Sequence, residues 1–232
     1  MVSRWLQSIT GLLYPNLCAV CGTPLVGGEE VMCTGCSYRM PKTRSWHDPE
    51  NVVAKIFWGR VRLQHACAYL YFRKGSRYQK LLHKLKYAGR KEIGRYLGQQ
   101  FAHELTAVVP FKDISAIVPV PLHPKKQKKR GYNQSEWISL GLSDVLNIPV
   151  VNDILKRAVY TETQTRKGRM ERWENVSNVF DVDSQNSLPE GAHILLVDDV
   201  VTTGATLEAC AQALVEKGNY RVSIATIAFA SQ

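Results

Sequence analysis

The stretch His193–Cys210 constrains the fold of this chain more than any other part; it reads HILLVDDVVTTGATLEAC. Its apolar run 194–197 has the length of a buried strand and is too short for a buried helix. Two carboxylates, Asp198 and Asp199, end this strand, and small residues follow them before a helical pattern of apolar residues begins. The order of strand, acidic pair, small hydroxyl-bearing loop and helix predicts a turn that holds a phosphate.

The physical basis of such a turn is the free first turn of the helix. Its backbone N–H groups lack partners and its dipole attracts an anion. The small residues of the loop add hydroxyl donors and a backbone that comes close to a phosphate: Thr202, Thr203, Gly204, Ala205 and Thr206. Asp198 and Asp199 suit sugar hydroxyls or a divalent cation better than a phosphate. The whole string therefore predicts a ligand with hydroxyls beside a phosphate, such as a ribose phosphate.

Two other interpretations apply to this stretch. A strand that ends in paired acids also occurs in P-loop nucleotidases, but those proteins need a G-x-x-x-x-G-K-[ST] loop that this chain lacks. The second alternative is a purely structural strand, turn and helix, because Asp and Thr are common at helix starts.

The string VDDVVTTGAT resembles the ribose-phosphate loop of the type I phosphoribosyltransferases, which bind phosphoribosyl pyrophosphate. The resemblance implies that Asp198 and Asp199 contact the ribose hydroxyls and serve as catalytic residues if the protein is active. It also implies that residues 202–206 enclose the 5′-phosphate and that Mg²⁺ accompanies phosphoribosyl pyrophosphate.

Charge favours polyanionic partners. The 30 basic and 20 acidic residues give a net charge of +10, which favours nucleic acid, phosphorylated ligands or an anionic membrane surface. No apolar run reaches the length of a transmembrane helix. The amphipathic start of the chain (Trp5, Leu6, Ile9, Leu12, Leu13) predicts a short helix that packs on the body, with membrane-surface binding as the alternative. We expect a cytoplasmic protein.

Four of the six cysteines form two C-x-x-C pairs, Cys18–Cys21 and Cys33–Cys36. Two such pairs supply the four thiolates that a structural Zn²⁺ prefers. Disulfides are disfavoured without a secretion signal, and a redox motif does not explain two copies. We predict a structural Zn²⁺ site, and we expect Cys67 and Cys210 to be buried in the core.

Two other segments are strongly basic. Between Arg73 and Arg95 nine basic residues face a single acid, and tyrosines are interleaved with them. This pattern is typical of single-strand binding, although a solvated helix face is the alternative. The second segment follows the predicted strand 114–120 as a stiff, proline-bearing and non-helical basic loop. We expect it to grip a diphosphate or nucleic acid through Lys125, Lys126, Lys128, Lys129 and Arg130.

Several motifs along the chain, taken together, narrow the resemblance from the type I phosphoribosyltransferases in general to one family. The string VPVPLHPKKQKKRGYNQSE, the C-x-x-C pairs and LLHKLKYAGR occur in the order found in the ComF family, also called competence protein F or GntX-like. The segment 163–180 is similar to this family too, at Gln164, Arg169, Arg172 and Asn175. In type I phosphoribosyltransferases a flexible loop in this region closes over the reaction centre, where Arg169 and Arg172 would neutralise a diphosphate.

The alternation of strands and helices predicts an α/β fold: a phosphoribosyltransferase-type, Rossmann-like parallel sheet with helices on both faces, preceded by a small four-cysteine zinc module. The predicted strands are 66–72, 114–120, 149–151, 193–198 and 221–230. The predicted domains are a helix and zinc module at 1–45, a linker at 46–65, and a phosphoribosyltransferase-like domain at 66–232. The last comprises a basic helical part at 73–108 and a core at 110–232.

Three functional hypotheses follow. The first is a protein that binds phosphoribosyl pyrophosphate or a nucleotide, holds single-stranded DNA and, by its ComF resemblance, acts in natural transformation on the cytoplasmic side. The second is an active phosphoribosyltransferase with an unknown acceptor, since no nucleobase-binding hood is recognisable. The third is a regulator that uses the same site as a sensor.

Overall fold

The computed structural model describes residues 15–108, 111–157, 179–183 and 188–230. Its strands are β1 (His65–Tyr71), β2 (Ala116–Pro119), β3 (Leu155–Arg157), β4 (Phe180–Val182), β5 (His193–Val201) and β6 (Arg221–Phe229). Its helices are α1 (Thr34–Tyr38), α2 (Val52–Lys55), α3 (Gln79–Tyr87), α4 (Glu92–Leu105), α5 (Pro124–Arg130), α6 (Gln134–Leu146) and α7 (Ala205–Glu216), with a 3₁₀ turn at Ser45–His47.

The centre of the fold is a parallel sheet in the order β1-β6-β5-β2. Its central strands are nearly continuous runs of buried residues, as expected for a sheet covered on both faces. The predicted strand 149–151 is reduced to one parallel bridge, Ile117–Val150, beyond β2. A separate antiparallel pair, β3–β4, has no counterpart among the predicted strands. The predicted parallel α/β architecture is confirmed.

Two hydrophobic cores cover the two faces of the sheet. On one face, α3, α4 and α6 pack around Leu85, Leu97 and Ile138. On the other face, α2 and α7 pack around Phe57 and Leu207. Both central strands contribute to both cores, because successive side chains of a strand point to opposite faces.

Helices α4 and α6 approach each other unusually closely. An added Cβ at Gly98 would lie 2.3 Å from the carbonyl oxygen of Ile138, and one at Gly141 would lie 2.0 Å from that of Arg95. Only glycine permits such backbone proximity, so these two positions lock α6 against α4. This contact fixes the position of α6, whose amino end reaches the site described below.

The segment 46–65 is not a linker. Trp46, Val53 and Phe57 are almost fully buried, and the Trp46 ring packs 5.6 Å from that of Phe101. The Asn51 side chain donates to the Ala66 carbonyl oxygen at 2.9 Å and accepts from the N–H groups of Val53 and Ala54. The turn-prone composition was misleading because the apolar residues that are buried, Trp46, Val53 and Phe57, are spaced irregularly and give no helix or strand period.

The cysteine-bearing segment also lacks a core of its own. Val20, Val31 and Met32 belong to the same buried cluster as Leu81 and Leu97. The Lys84 ammonium donates to the Ala19 carbonyl oxygen at 3.0 Å, and the Tyr78 hydroxyl donates to that of Cys36 at 2.8 Å. The segment is therefore packed directly on α3 and α4.

Candidate functional site

The carboxylates of Asp198 and Asp199 lie at the edge of the sheet where strand β2 stops. The last β2 residue, Pro119, pairs with Val197, whereas β5 continues to Val201 beside β6. The sequence predicted that the acids end their strand, but they lie within β5. They still lie beyond the end of the neighbouring strand, where parallel sheets bind ligands.

Asp198 is held by donors from two directions. Its Oδ1 accepts from the Ser135 hydroxyl and from the backbone N–H of Asp199, both at 2.8 Å. Burial, and then the neighbouring charge of Asp199, raise the pKa of Asp198 to about 7, while the bond from Ser135 opposes this rise. This carboxyl group can therefore exchange a proton near neutral pH.

Asp199 forms an ion pair that the sequence did not indicate. The Lys86 ammonium, at the last turn of α3, lies 3.0 Å from Asp199 Oδ2, and both side chains are largely shielded from solvent. Lys86 was one basic residue among nine in its segment, and nothing in its spacing separated it from the others. The ammonium of Lys86 therefore balances the charge of the Asp199 carboxylate.

The loop between β5 and α7 presents small residues to solvent. The exposed residues are Thr202, Thr203, Ala205 and Thr206, while Gly204 is buried. No side chain caps α7, so the first amides of this 12-residue helix stay open to an anion. The loop therefore has the exposure and the donors that a phosphate requires.

Gly204 is needed for a reason other than the one its sequence suggested. Its φ of 78° is left-handed, and an added Cβ would lie 2.7 Å from Ile56 Cγ2 and 2.9 Å from Phe57 Cε1. The space that a side chain would fill is thus taken by the segment after α2, and not by a ligand. Gly204 therefore lets the loop pack closely against Ile56 and Phe57.

Arg60 fastens the loop from the same side. Its Nη1 donates to the Thr203 carbonyl oxygen at 3.0 Å, and its Nη2 pairs with Glu208 on α7. In turn, the Gln212 side chain donates to the Arg60 carbonyl oxygen at 3.2 Å. Sequence reasoning missed Arg60 because it lay within the supposed linker.

The basic residues after β2 form a helix, α5, and not the non-helical loop that was predicted. Pro124 occupies the first turn, where a missing N–H costs nothing, and His123 Nδ1 accepts from the Lys125 N–H at 3.1 Å. Four lysines of α5 are exposed and form no ion pair with any described residue: Lys125, Lys126, Lys128 and Lys129. These four charges are available to an outside anion.

Arg130 differs from these lysines because it is engaged within the protein. It donates to Gln134 Oε1 at 2.6 Å and lies 5.5 Å from the centre of the Tyr87 ring. The adjoining Asn133 donates to the Val120 carbonyl oxygen at 3.0 Å and caps α6. Helix α5 is thereby attached at the carboxyl end of β2, beside β5.

The basic segment 73–95 divides into two parts. Lys84, Lys86, Arg90, Lys91 and Arg95 all have partners, among them the bidentate pair of Arg95 with Asp144. By contrast, Arg73, Lys74, Arg77 and Lys80 form no ion pair within the described ranges. Only the first part of the segment offers uncommitted charge.

Four cysteines converge as their spacing predicted. The sulfur atoms of Cys18, Cys21, Cys33 and Cys36 all lie within 4.8 Å of one another, a donor set compatible with tetrahedral Zn²⁺. Hydrogen bonds from the side chain and backbone of Thr23 lower the pKa of the Cys21 thiol to about 6, which favours the thiolate a metal needs. Cys67 and Cys210 are fully buried elsewhere.

Some predicted elements lie outside the described residues. These are the amino-terminal helix and the residues Gln164, Arg169, Arg172 and Asn175. Within the described ranges, no helix is both long and apolar enough to cross a membrane.

The raised pKa of Asp198 has a consequence for stability. Between about pH 4 and pH 7 the folded protein keeps a proton that the unfolded chain has lost, so stability falls as the pH rises. Because this loss grows by about 1.4 kcal/mol per pH unit between the two pKa values, we expect Asp198→Asn to stabilise the fold relative to wild type by about 2 kcal/mol more at pH 8 than at pH 5. Urea unfolding at both pH values measures this difference.

The matched control for this measurement is Asp153→Asn, which changes an exposed carboxylate outside the site. Its effect should be the same at both pH values. An equal effect of Asp198→Asn at pH 5 and pH 8 would show that this carboxyl group titrates normally.

Comparison with known proteins agrees with this geometry. Residues 105–232 match the phosphoribosyl transferase domain family. Competence protein F of Haemophilus influenzae is 40% identical over 110 residues, which cover 47% of this chain and 48% of that protein. Competence protein ComFC of Bacillus subtilis is 28% identical over 92% of this chain and 75% of that protein.

A fuller match comes from the DNA utilization protein YhgH of Escherichia coli. It is 30% identical over 227 residues, which cover 92% of this chain and 96% of that protein. The match therefore extends well beyond the phosphoribosyl transferase domain, over nearly the whole chain. With that domain behind a four-cysteine module, the chain belongs to the ComF family of phosphoribosyltransferase-fold proteins.

Proposed function

We propose that this protein binds a ribose-phosphate ligand, either phosphoribosyl pyrophosphate or a nucleotide, together with single-stranded DNA, and acts in DNA uptake on the cytoplasmic side. The observation that carries the proposal is the meeting of three features at one edge of the sheet. These are the carboxylate pair of β5, the open amino end of α7 and the uncommitted lysines of α5.

The ligand is assigned by what each feature recognises. The loop 202–206 offers amide and hydroxyl donors to a phosphate. Asp198 and Asp199 accept from the hydroxyls of an attached sugar, and they would hold any Mg²⁺ that accompanies a diphosphate. The lysines of α5, with Arg130, Arg169 and Arg172, would neutralise that diphosphate.

The DNA partner is supported by charge and by relatives. Four lysines on one short exposed helix create a local positive field that favours a polyanion. The relatives bear the names competence protein and DNA utilization protein. Handling of incoming DNA is therefore the role most consistent with both observations.

A second candidate function is phosphoribosyl transfer itself. It is favoured by Asp198, because a carboxyl group with a pKa of about 7 can exchange a proton beside a reacting sugar. Asp198 and Asp199 would then stabilise the developing positive charge of the ribose ring. The same pocket without turnover would serve as a sensor.

Calorimetry tests the ribose-phosphate site. We expect wild type to bind phosphoribosyl pyrophosphate, and Mg²⁺ to increase the affinity. Thr203→Val/Thr206→Val and Asp198→Asn/Asp199→Asn should each lower it about tenfold or more, since each removes at least one hydrogen bond to a charged group. Asp153→Asn is the matched control and should bind as wild type does.

Two outcomes would count against this site. One is the absence of heat when wild type is titrated with phosphoribosyl pyrophosphate or ribose 5-phosphate. The other is wild-type affinity in the variants of the loop and of the acids. Diphosphate release from phosphoribosyl pyrophosphate and Mg²⁺ that is lost in Asp198→Asn/Asp199→Asn would show cleavage of the ribosyl–diphosphate bond, with water taking the ribosyl group; faster release with an added acceptor, together with the ribosylated acceptor as product, would establish the transferase.

The lysines of α5 supply the DNA prediction. Replacing Lys125, Lys126, Lys128 and Lys129 with Gln should weaken binding of an oligothymidylate at low salt. Each lost phosphate contact lowers the slope of log K against log salt by about 0.7, so the slope should fall by up to about 3. Fluorescence anisotropy across a salt series measures both quantities, and an unchanged slope would exclude α5 from the DNA surface.

The cysteine cluster is proposed to hold one structural Zn²⁺. We expect about one Zn²⁺ per chain by elemental analysis, and Cys36→Ser should lose it. Because the cysteine segment shares its core with α3 and α4, this loss should also lower the melting temperature of the whole fold. Cys67→Ala, a buried cysteine outside the cluster, is the control and should keep the metal; full metal content in Cys36→Ser would contradict the assignment.

A further inference from the structure

A concave surface lies away from the carboxylates, between the segment that bears the four clustered cysteines and the start of α3. It is a groove of about 430 Å³. Its lining consists of Pro41, Tyr71, Arg73, Ser76, Arg77 and Tyr78. Most of this lining bears aromatic rings or guanidinium groups on the last residue of β1 and the turn that follows it, and no acidic residue lines it.

The aromatic wall of the groove is fixed in place. The Tyr71 N–H donates to the Pro41 carbonyl oxygen at 2.9 Å, and its ring lies 6.4 Å from that of Phe229. Even so, Tyr71 remains 39% exposed. Tyr78 is anchored by its hydroxyl on the Cys36 carbonyl oxygen. A partly exposed ring held on a rigid strand is suited to stacking with a flat ligand.

The charges of the groove are uncommitted. Arg73 and Arg77 are exposed and form no ion pair with any described residue, and the same holds for the neighbouring Lys74 and Lys80. The later basic residues of this segment are engaged within the protein. The cations that could hold a phosphate backbone are therefore concentrated beside the exposed ring.

The groove opens at the same edge of the sheet as the candidate ligand site. Tyr71 pairs with Phe229 on β6, and Phe229 pairs with Val201, the residue before the 202–206 loop. These three residues form one row across three adjacent strands, so β1 and β5 are separated by about 10 Å at this level. One extended ligand could contact both surfaces.

We propose that this groove is a base-stacking subsite for single-stranded DNA, with one base on Tyr71 and the flanking phosphates on Arg73 and Arg77. The assignment rests on the proposed DNA-binding function and names the residues that carry it outside α5. A single strand fits better than a duplex, because only an unstacked base can present its face to a ring inside a groove. Arg73 and Arg77 line the groove together with the Tyr71 ring, and no acidic residue of the lining competes for them, so both can pair with the phosphates of a DNA strand.

The test is oligothymidylate binding by the full-length protein, measured by fluorescence anisotropy over a salt series. Tyr71→Leu should weaken binding about tenfold through the loss of one stacked base, whereas Tyr71→Phe should bind nearly as wild type does. Arg73→Gln/Arg77→Gln should weaken binding and lower the salt slope by about 1.4. A duplex of the same length should bind more weakly than the single strand and should not respond to Tyr71→Leu.

The matched control is Arg62→Gln/Lys112→Gln. It removes two exposed cations that precede β1 and β2 and thus lie at the opposite edge of the sheet. This variant should keep the wild-type salt slope. Both arginines of the groove are exposed, so their replacement should leave the melting temperature and the metal content unchanged.

The outcomes separate this assignment from the general proposal. If wild type fails to bind the oligonucleotide at low salt, DNA binding itself is wrong. If wild type binds but Tyr71→Leu and Arg73→Gln/Arg77→Gln retain its affinity and salt slope, the groove is not a DNA subsite, while the proposal of DNA binding through α5 stands. If the control variant loses as much affinity and salt slope as the variant of the two groove arginines, binding depends only on the overall positive charge, and the subsite is also overturned.

Discussion

The site depends on a difference in length between the neighbouring strands β2 and β5. Strand β2 stops at its pair with Val197, while β5 runs four residues further along β6. This step in the sheet leaves one side of Asp198 and Asp199 without a neighbouring strand, and it lets Ser135 and Lys86 reach them from two helices.

Much of this arrangement was predictable because it is local in the sequence. In residues 193–210 the strand, the acids, the small residues and the helix follow one another directly in the sequence. The two cysteine pairs likewise lie within the short range 18–36. Local patterns of this kind determine backbone geometry directly: the four cysteines converge, and the small residues 202–204 connect β5 to α7. Leu207 and Cys210 turn inward as their helical spacing predicted.

The parts that escaped prediction all depend on contacts between distant segments. Arg60 bonds to Thr203 and Glu208, more than 140 residues away, and Lys86 finds Asp199 only through the packing of α3. Gly204 is a similar case, because its need arises from Ile56 and Phe57 and not from its own loop. Pro124 led to the opposite error, because proline was taken to exclude a helix here although it is well accepted in the first turn of one.

The ion pair between Lys86 and Asp199 and the raised pKa of Asp198 together limit the negative charge of these two acids. Asp199 lies beside an ammonium, and burial together with the charge of Asp199 raises the pKa of Asp198 to about 7, so near neutral pH the two acids carry less negative charge than two free carboxylates. The fold thereby reduces the repulsion between two adjacent acids, because each has a partner on a different helix: Ser135 on α6 for Asp198 and Lys86 on α3 for Asp199.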